Sequence, residues 1–487
     1  MWSKRRLFGP CDAKLAKNSY IRGAKRIYQI YQIMSNNINL RKGLNVPLAG
    51  AAVRTVRKAI LPDVVAVRPS DFRNLTPKLL VKEGDKVLAG SPVLADKMSQ
   101  NILFTSPVSG TVSGVVRGDK RKLLAVLIKT DEVQEYVDFG IRKVDELDAE
   151  AVKEALLSSG LWTALVQRPY GIVANPELRP RAIYVSAFNT APLAADNEFV
   201  LADEFDNIQT AVLALAKLTD GGVHVSFNAE IKSRFEALKG ITAHHFSGKH
   251  PAGNVGVQIN NIRPICKGET VWTVSMQMLA AIGKLFNSGR YDVSRKVAIT
   301  GPMALETAYV KTVPGMPMSA IQGFYGNDAE EIRFVSGDAL SGANVGAEGY
   351  LRFQDNQVTL LREGNEYETF GWANPLRFKQ FSSSHTYFHW LLKLLCPKKE
   401  YALDTNLHGG ERAFVVSDVY GKVLPMSIFP VYLVKACLAG DIDKMEKFGI
   451  YEVLEEDLAL CEYVCPSKID IQAIIAKGID TMIKEMA

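Results

Sequence analysis

A multidomain chain of the α+β or α/β class is predicted for these 487 residues. Three observations predict it. Short β-type runs broken by glycine turns fill residues 40–130. Strand-like and helix-like stretches alternate across 148–295, and after a return to β character over 296–372 the chain reads as mainly helical. Length alone allows roughly two to four domains. No run of ~18 apolar residues offers a helix that crosses a membrane.

The first element is a basic extension. Residues 1–33 hold Lys4, Arg5, Arg6, Lys14, Lys17, Arg22, Lys25 and Arg26 against a single acid, Asp12, which more than accounts for the +6 charge of the whole chain. The body that follows is within one charge of neutral, so nucleic acid is excluded as its partner. The extension has the composition of a targeting peptide. It could also lie on a membrane surface, because Ile21, Ile27, Tyr28, Ile30 and Tyr31 interleave with the cations. The reading adopted is that translation begins at Met34, with 1–33 outside the native start.

Residues 34–135 form the second element. Leu80–Leu94 and Phe104–Val116 each read as strand, tight glycine turn and strand. Two such halves facing one another make a flattened sandwich, a pattern that resembles the lipoyl-type barrel-sandwich hybrid. Carriers of that type present a lysine at the tip of the turn between the halves. Lys97 lies between the halves here, but the linker to Ser106 is long and nothing tightens it, so Lys97 is expected to be an unmodified surface residue.

Across 136–295, Ala182–Ala187 and Gly222–Ser226 read as buried strands. Asp206–Leu218 reads as a helix with Ile208, Val212, Leu213 and Leu215 on one side, and Thr270–Phe286 as a second helix. This alternation predicts an open, Rossmann-like α/β layer. Residues 296–375, with strands at Lys296–Gly301, Glu331–Val335 and Val358–Leu361 and a short helix at Met318–Gln322, predict a β-grasp (SLBB-like) domain. Residues 376–487 are expected to be helical, with breakers at Pro397, Pro425 and Pro430.

Few residues carry recognisable chemistry. The six cysteines are mostly far apart, which suits a reducing compartment and not a disulfide framework. Cys461 and Cys465-Pro466 match the end of an iron–sulfur run, C-x2-C-x2-C-x3-C-P. The first two ligands would fall at Glu455 and Leu458, and leucine cannot ligate iron, so a vestigial cluster motif is expected. His385 and His389 stand four apart, but Tyr387 between them cannot replace the carboxylate of a zinc peptidase motif. These two, with His244, His245 and His250, are expected to be ordinary hydrogen-bonded histidines. No Walker-type phosphate loop is present. No catalytic, cofactor-binding or metal-binding residue is assigned.

Several local stretches then fall in a characteristic order: Arg41–Gly50, Ser159–Ala164 with Arg168-Pro169, Asn189–Ala195, His250–Gly253, Arg362–Gly364, Phe370–Trp372, Thr405-Asn406 and Leu460–Pro466. Together they resemble the NqrA family, the A subunits of the sodium-translocating NADH:quinone oxidoreductases (Na+-NQR), from about residue 38 to the end. The resemblance implies a peripheral protein on the cytoplasmic face of the bacterial inner membrane, docked on the B to F subunits and above all on the membrane-embedded B subunit. The complex oxidises NADH, reduces quinone and exports Na+. NADH, flavins and iron–sulfur centres belong to the other subunits, and NqrA itself is linked to quinone binding.

The domain order also resembles the flavin-carrying subunit of complex I and the C subunit of the Rnf complex, and a flavin-dependent NADH dehydrogenase subunit is the alternative reading. Those relatives use a glycine-rich loop to approach phosphates. The corresponding stretch here is Gly160–Tyr170, in which Trp162, Leu165, Val166, Gln167, Arg168 and Tyr170 replace the expected small residues. A degenerate cofactor loop is therefore expected, with Trp162, Arg168 and Tyr170 in it. The last expectation is a docking face for the membrane partners. If Ser384–Leu395 is a helix, Tyr387, Phe388, Trp390, Leu391 and Leu394 cover most of it and leave a narrow polar stripe.

Overall fold

The computed structural model of the protein describes residues 37–326, 329–364, 366, 377, 380–383, 398–414 and 418–486. The basic extension and the expected docking residues Tyr387, Phe388, Trp390, Leu391 and Leu394 lie outside that set, as do His385 and His389.

Two facing sheets follow from the glycine-turn runs. Strands Val64–Val67, Leu123–Thr130, Gly110–Arg117 and Lys86–Val87 make one, and Pro77–Leu79, Pro92–Asp96 and Leu103–Thr105 the other. Val65, Val93, Leu94, Phe104, Val112, Val126 and Ile128 are all but free of solvent; Val93 and Leu94 are neighbours that are both buried where the strand register shifts. Burying each such side chain stabilises by about 1.5–3 kcal/mol. The expectation that nothing tightens the linker after Lys97 is corrected: beyond the Ala95–Leu103 pair the Asp96 N–H donates to the carbonyl of Ile102 and the Ile102 N–H to that of Ser99, so a short hydrogen-bonded loop closes a hairpin. Lys97 is exposed there, its backbone N–H tied to the carbonyl of Thr76.

The middle of the chain builds a seven-stranded sheet in the order Asn37–Leu40, Ile241–Gly248, Val223–Asn228, Ile183–Ser186, Val271–Thr273, Val166–Arg168, Ile172–Val173. The first five strands run parallel, Val166–Arg168 runs against them, and Ile172–Val173 pairs antiparallel to Val166–Arg168. Helices Phe205–Ala216 and Met276–Ser288 pack on one another over this sheet. Their approach depends on Gly283, where a Cβ would collide with the carbonyl oxygen of Asn207. The expected helix over Thr270–Phe286 is corrected in its first turn. Val271–Thr273 is a fully buried strand, and the helix starts at Met276 behind Ser275, whose hydroxyl accepts from the N–H of Met278. The run Val-Trp-Thr-Val is rich in β-branched and aromatic side chains, and the serine N-cap sets the boundary.

A six-stranded sheet follows, in the order Ala343–Asn344, Ile332–Ser336, Gln357–Arg362, Arg295–Thr300, Ala308–Thr312, Val56–Arg57. Its core is Val297, Ile299, Val310, Met316, Phe334, Val358 and Leu360, with the 3-10 turn Met318–Phe324 packed through Met318 and Ile321. Helices Val419–Val423, Pro430–Ala439, Ile442–Phe448, Glu455–Tyr463 and Ile471–Met486 make the C-terminal unit. Its core continues into the seven-stranded sheet through Leu40 and Phe246 and onto helix Val255–Ile262 through Val257.

The opening of the expected 34–135 segment pairs elsewhere than with the two facing sheets. Asn37–Leu40 edges the seven-stranded sheet, Leu44 and Ala49 bond to His250 and Tyr401, and Val56–Arg57 edges the six-stranded sheet. A two-residue strand carries too little periodicity to be read from sequence, so this strap was invisible there.

Candidate functional site

Of the residues singled out in the sequence, Arg168 and Tyr170 lie where the seven-stranded sheet meets the C-terminal helices that carry Cys461 and Cys465, whereas Trp162 belongs to the core shared with the facing sheets. Trp162 is 1% exposed. Its indole N–H donates to the carbonyl of Ala174 at 2.6 Å, and its ring meets Trp272 edge-on at 5.3 Å. The surrounding backbone amides are used locally: Gly160 donates to Leu157, Thr163 to Gly160, Leu165 to Trp162 and Gly171 to Gln167. Leu165 is buried, and the Gln167 side chain accepts from the N–H of Asn175. These groups do not fit a phosphate, since the amides that would cradle it are spent and an indole fills the space.

Arg168 is 2% exposed and faces two consecutive acids of another unit. Its Nη1 donates to Asp457 Oδ2 at 2.8 Å and its Nη2 to Glu456. Burial alone would favour the neutral guanidine, but Asp457 and then Glu456 outweigh it and hold the group charged. The three acids Glu455, Glu456 and Asp457 form the first turn of helix Glu455–Tyr463, the end where negative charge is favoured. Glu455 pairs with Arg73 from the segment of the facing sheets, and Asn254 donates to the carbonyl of Glu456. One helix turn thus binds two other units. Sequence reasoning missed Glu456, Asp457 and Arg73; the run of three acids was the available signal, but nothing local named its partners.

Tyr170 has φ of +89° and is half-buried, with its ring 6.3 Å from Tyr451, and its carbonyl accepts from Arg73. The stretches Asn189–Ala195 and His250–Gly253 follow the carboxyl ends of two parallel strands and meet there. Thr190 Oγ1 lies 3.2 Å from Nδ1 of buried His250 and accepts from the N–H of Gly253. The strand order reverses beside Ile183–Ser186, the position at which open α/β sheets bind ligands. Among the other described histidines, His224 Nδ1 is 2.9 Å from His244 Nε2, His245 faces Glu236 and His408 faces Asp404, and burial pushes His244 down to about 4.

Cys461 and Cys465 are both 1% exposed, and the Tyr420 hydroxyl lies 2.9 Å from the sulfur of Cys465. Burial, then Cys465, pushes the Cys461 thiol up and away from the thiolate a metal requires. Leu458 is fully buried in the helical core and Glu455 is engaged by Arg73. The donor set does not fit an iron–sulfur cluster. No group of three or more potential metal ligands occurs among the described residues. Cys437, Cys461 and Cys465 are free thiols, whereas Cys266 is disulfide-bonded, a pairing that the spacing of the cysteines did not predict.

Beside Cys465 opens a cleft of about 1010 Å³ between the strap, the six-stranded sheet and the C-terminal helices. Leu44, Leu48, Leu340, Leu361, Leu403 and Ile469 make its apolar wall, and Arg333, Lys468, Asp404 and Asp470 part of its polar rim.

Fold and site together define a multidomain protein in which a barrel-sandwich domain precedes an α/β domain, with helices closing the chain. Residues 38–131 match the family profile described as the NqrA N-terminal barrel-sandwich hybrid domain, and residues 147–291 that of the NqrA second alpha/beta domain. The A subunit of the Na(+)-translocating NADH-quinone reductase of Yersinia pestis bv. Antiqua (strain Angola) is 38% identical over 441 residues, covering 90% of this chain and 97% of that protein. The protein of the same name from Neisseria meningitidis serogroup A is 35% identical over 452 residues, 92% of this chain and 100% of its own. That from Alcanivorax borkumensis is 36% identical over 451 residues, 91% and 99%. The chain belongs to this family, NqrA. Among solved structures, an NAD+-reducing [NiFe]-hydrogenase in the air-oxidized state is similar at a TM-score of 0.35 and 10% identity, over 70% of this chain and 62% of that one.

Proposed function

We propose that the chain works as the peripheral A subunit of a sodium-translocating NADH:quinone reductase. In this reading it docks on membrane partners of the B to F set, foremost the B subunit, at the cytoplasmic face of a bacterial inner membrane. It holds no flavin, nicotinamide or iron–sulfur group of its own, and it contributes to a quinone site. NADH oxidation and cofactor chemistry belong to the other subunits. The observation that carries the reading is the near end-to-end match to relatives that bear the NqrA name and role. Supporting it, Trp162 and the spent amides occupy the phosphate loop, and Leu458 stands where a cluster ligand is needed. Among the described residues no helix is long and apolar enough to cross a membrane, which suits attachment by docking. The cleft beside Cys465 has the size and the mixed lining that suit a quinone ring and part of its tail.

The finer fold reading belongs here as well. The reversal of strand order in the seven-stranded sheet suits a Rossmann-like layer. The hairpin, short helix and central parallel pair of Arg295–Thr300 with Gln357–Arg362 suit a β-grasp of SLBB type. The test is purification of the tagged full chain from its native membrane in mild detergent. Co-purification with integral membrane subunits and NADH-dependent quinone reduction is expected. A chain recovered alone and yellow with flavin would favour the flavoprotein alternative.

A further inference from the structure

The Asp457 carboxylate lies in a place constructed like a small anion site. Its Oδ2 accepts from Arg168 Nη1 at 2.8 Å and from the Leu454 backbone N–H at 3.0 Å, and its side chain is 0% exposed. It rests on the bare backbone of Gly256, in the first turn of helix Val255–Ile262. A Cβ at Gly256 would collide with both Asp457 Oδ2 and Arg168 Nη1. That helix end favours negative charge. Inside the contact, Arg168 Nε and Asp457 Oδ1 have no hydrogen-bond partner among the described residues.

An ion pair that merely joined two surfaces would need neither the missing side chain nor the buried, under-used guanidinium. Arg168 and Gly256 come from the α/β unit, whereas Asp457 arrives from the C-terminal helices, 289 residues from Arg168. We propose that the α/β unit carries an oxyanion site formed by Arg168 over Gly256, and that Asp457 fills it as an internal carboxylate ligand. The helical unit thereby closes the site to small carboxylates from solution. The inference rests on the reading that this chain holds no phosphorylated cofactor of its own, and explains what takes a ligand's place.

The test is chemical rescue in the full chain. Asp457→Gly removes the carboxylate and leaves room for formate. Thermal melting is followed in formate and in chloride at equal ionic strength and neutral pH. In chloride, Asp457→Gly should melt about 5 °C or more below the parent, because the buried Arg168 keeps only Glu456 of its two carboxylate partners. Formate should raise the melting temperature progressively over about 1–100 mM, as mass action requires of a ligand bound only by the folded state. The parent and Asp457→Asn should gain no more from formate than from chloride, and Arg168→Met with Asp457→Gly should lose the rescue. If Asp457→Gly folds only when formate is present, the inference is supported. No formate effect on Asp457→Gly, failure to fold with or without formate, or equal rescue without Arg168 would overturn it. Calorimetry of the unsubstituted chain with flavin mononucleotide or NADH tests the cofactor-free reading separately.

Discussion

The hydroxyl of Tyr420 lies 2.9 Å from the sulfur of Cys465, inside a core from which Leu458 and Cys461 also exclude water. A thiol so placed is out of reach of solvent. In the native protein, Cys461 and Cys465 should resist an aromatic disulfide reagent at neutral pH and react only on unfolding. Reconstitution with iron and sulfide should yield no visible cluster absorption. Rapid labelling of either cysteine in the folded chain, or a stable brown product, would contradict the packing described.

Arg168 should be costly to remove. Arg168→Met leaves the buried Asp457 carboxyl without its main partner, a loss of about 3–5 kcal/mol. Replacing both residues with apolar ones, Arg168→Met with Asp457→Leu, should cost less than Arg168→Met alone, because the fully buried carboxyl is gone and the unpaired Glu456 left behind is partly exposed. Denaturant melts of the two variants against the parent decide this; a double variant worse than the single would mean that packing, not charge, governs the contact.

Gly256→Ala offers a sharper geometric test. In an ordinary helix interior that exchange stabilises by roughly 0.5–1 kcal/mol. Here the new methyl would collide with Asp457 and Arg168, so the sign should reverse. A Gly256→Ala protein with a raised melting temperature would show that the pair can move aside freely.

Glu452 should make stability depend on pH. Burial pushes its carboxyl from 4.5 up to about 7, against the Asn260 amide that donates to it. The folded state therefore binds this proton more tightly than the unfolded chain. The contribution is fully present below about pH 4.5 and is lost as pH rises through about 7. Glu452→Gln removes that dependence, so relative to the parent it should gain stability between pH 5 and pH 8. Denaturant titrations at the two pH values measure the difference, and a constant offset would rule out Glu452 as its source.

Periodicity made much of this fold legible. The strands at Ile183–Ser186, Val223–Asn228, Arg295–Thr300 and Ile332–Ser336 and the helix Phe205–Ala216 fall where alternation and 3.6-residue spacing put them. The strand Val271–Thr273 was hidden because a short apolar run abutting an amphipathic helix looks like its first turn. The candidate site was half legible. Trp162, Arg168 and Tyr170 stood out as side chains in a loop whose relatives want glycine. Their partners did not, because Arg168 and Asp457 meet only through tertiary structure and no local pattern encodes a contact across 289 positions.

The strap has a temporal meaning. Asn37–Leu40 and Val56–Arg57 are synthesised near the start, yet they pair with Ile241–Gly248 and Ala308–Thr312. During translation these early residues must wait, unpaired, until well over two hundred later ones have emerged. Neither sheet can acquire that outer edge before then. Long-range closures of this kind are slow, and they leave unsatisfied edges that invite association with other nascent chains. The ribosome thus delivers the clasp before its two eyelets, so the docking of this strap is expected to be a late, aggregation-sensitive step of biogenesis.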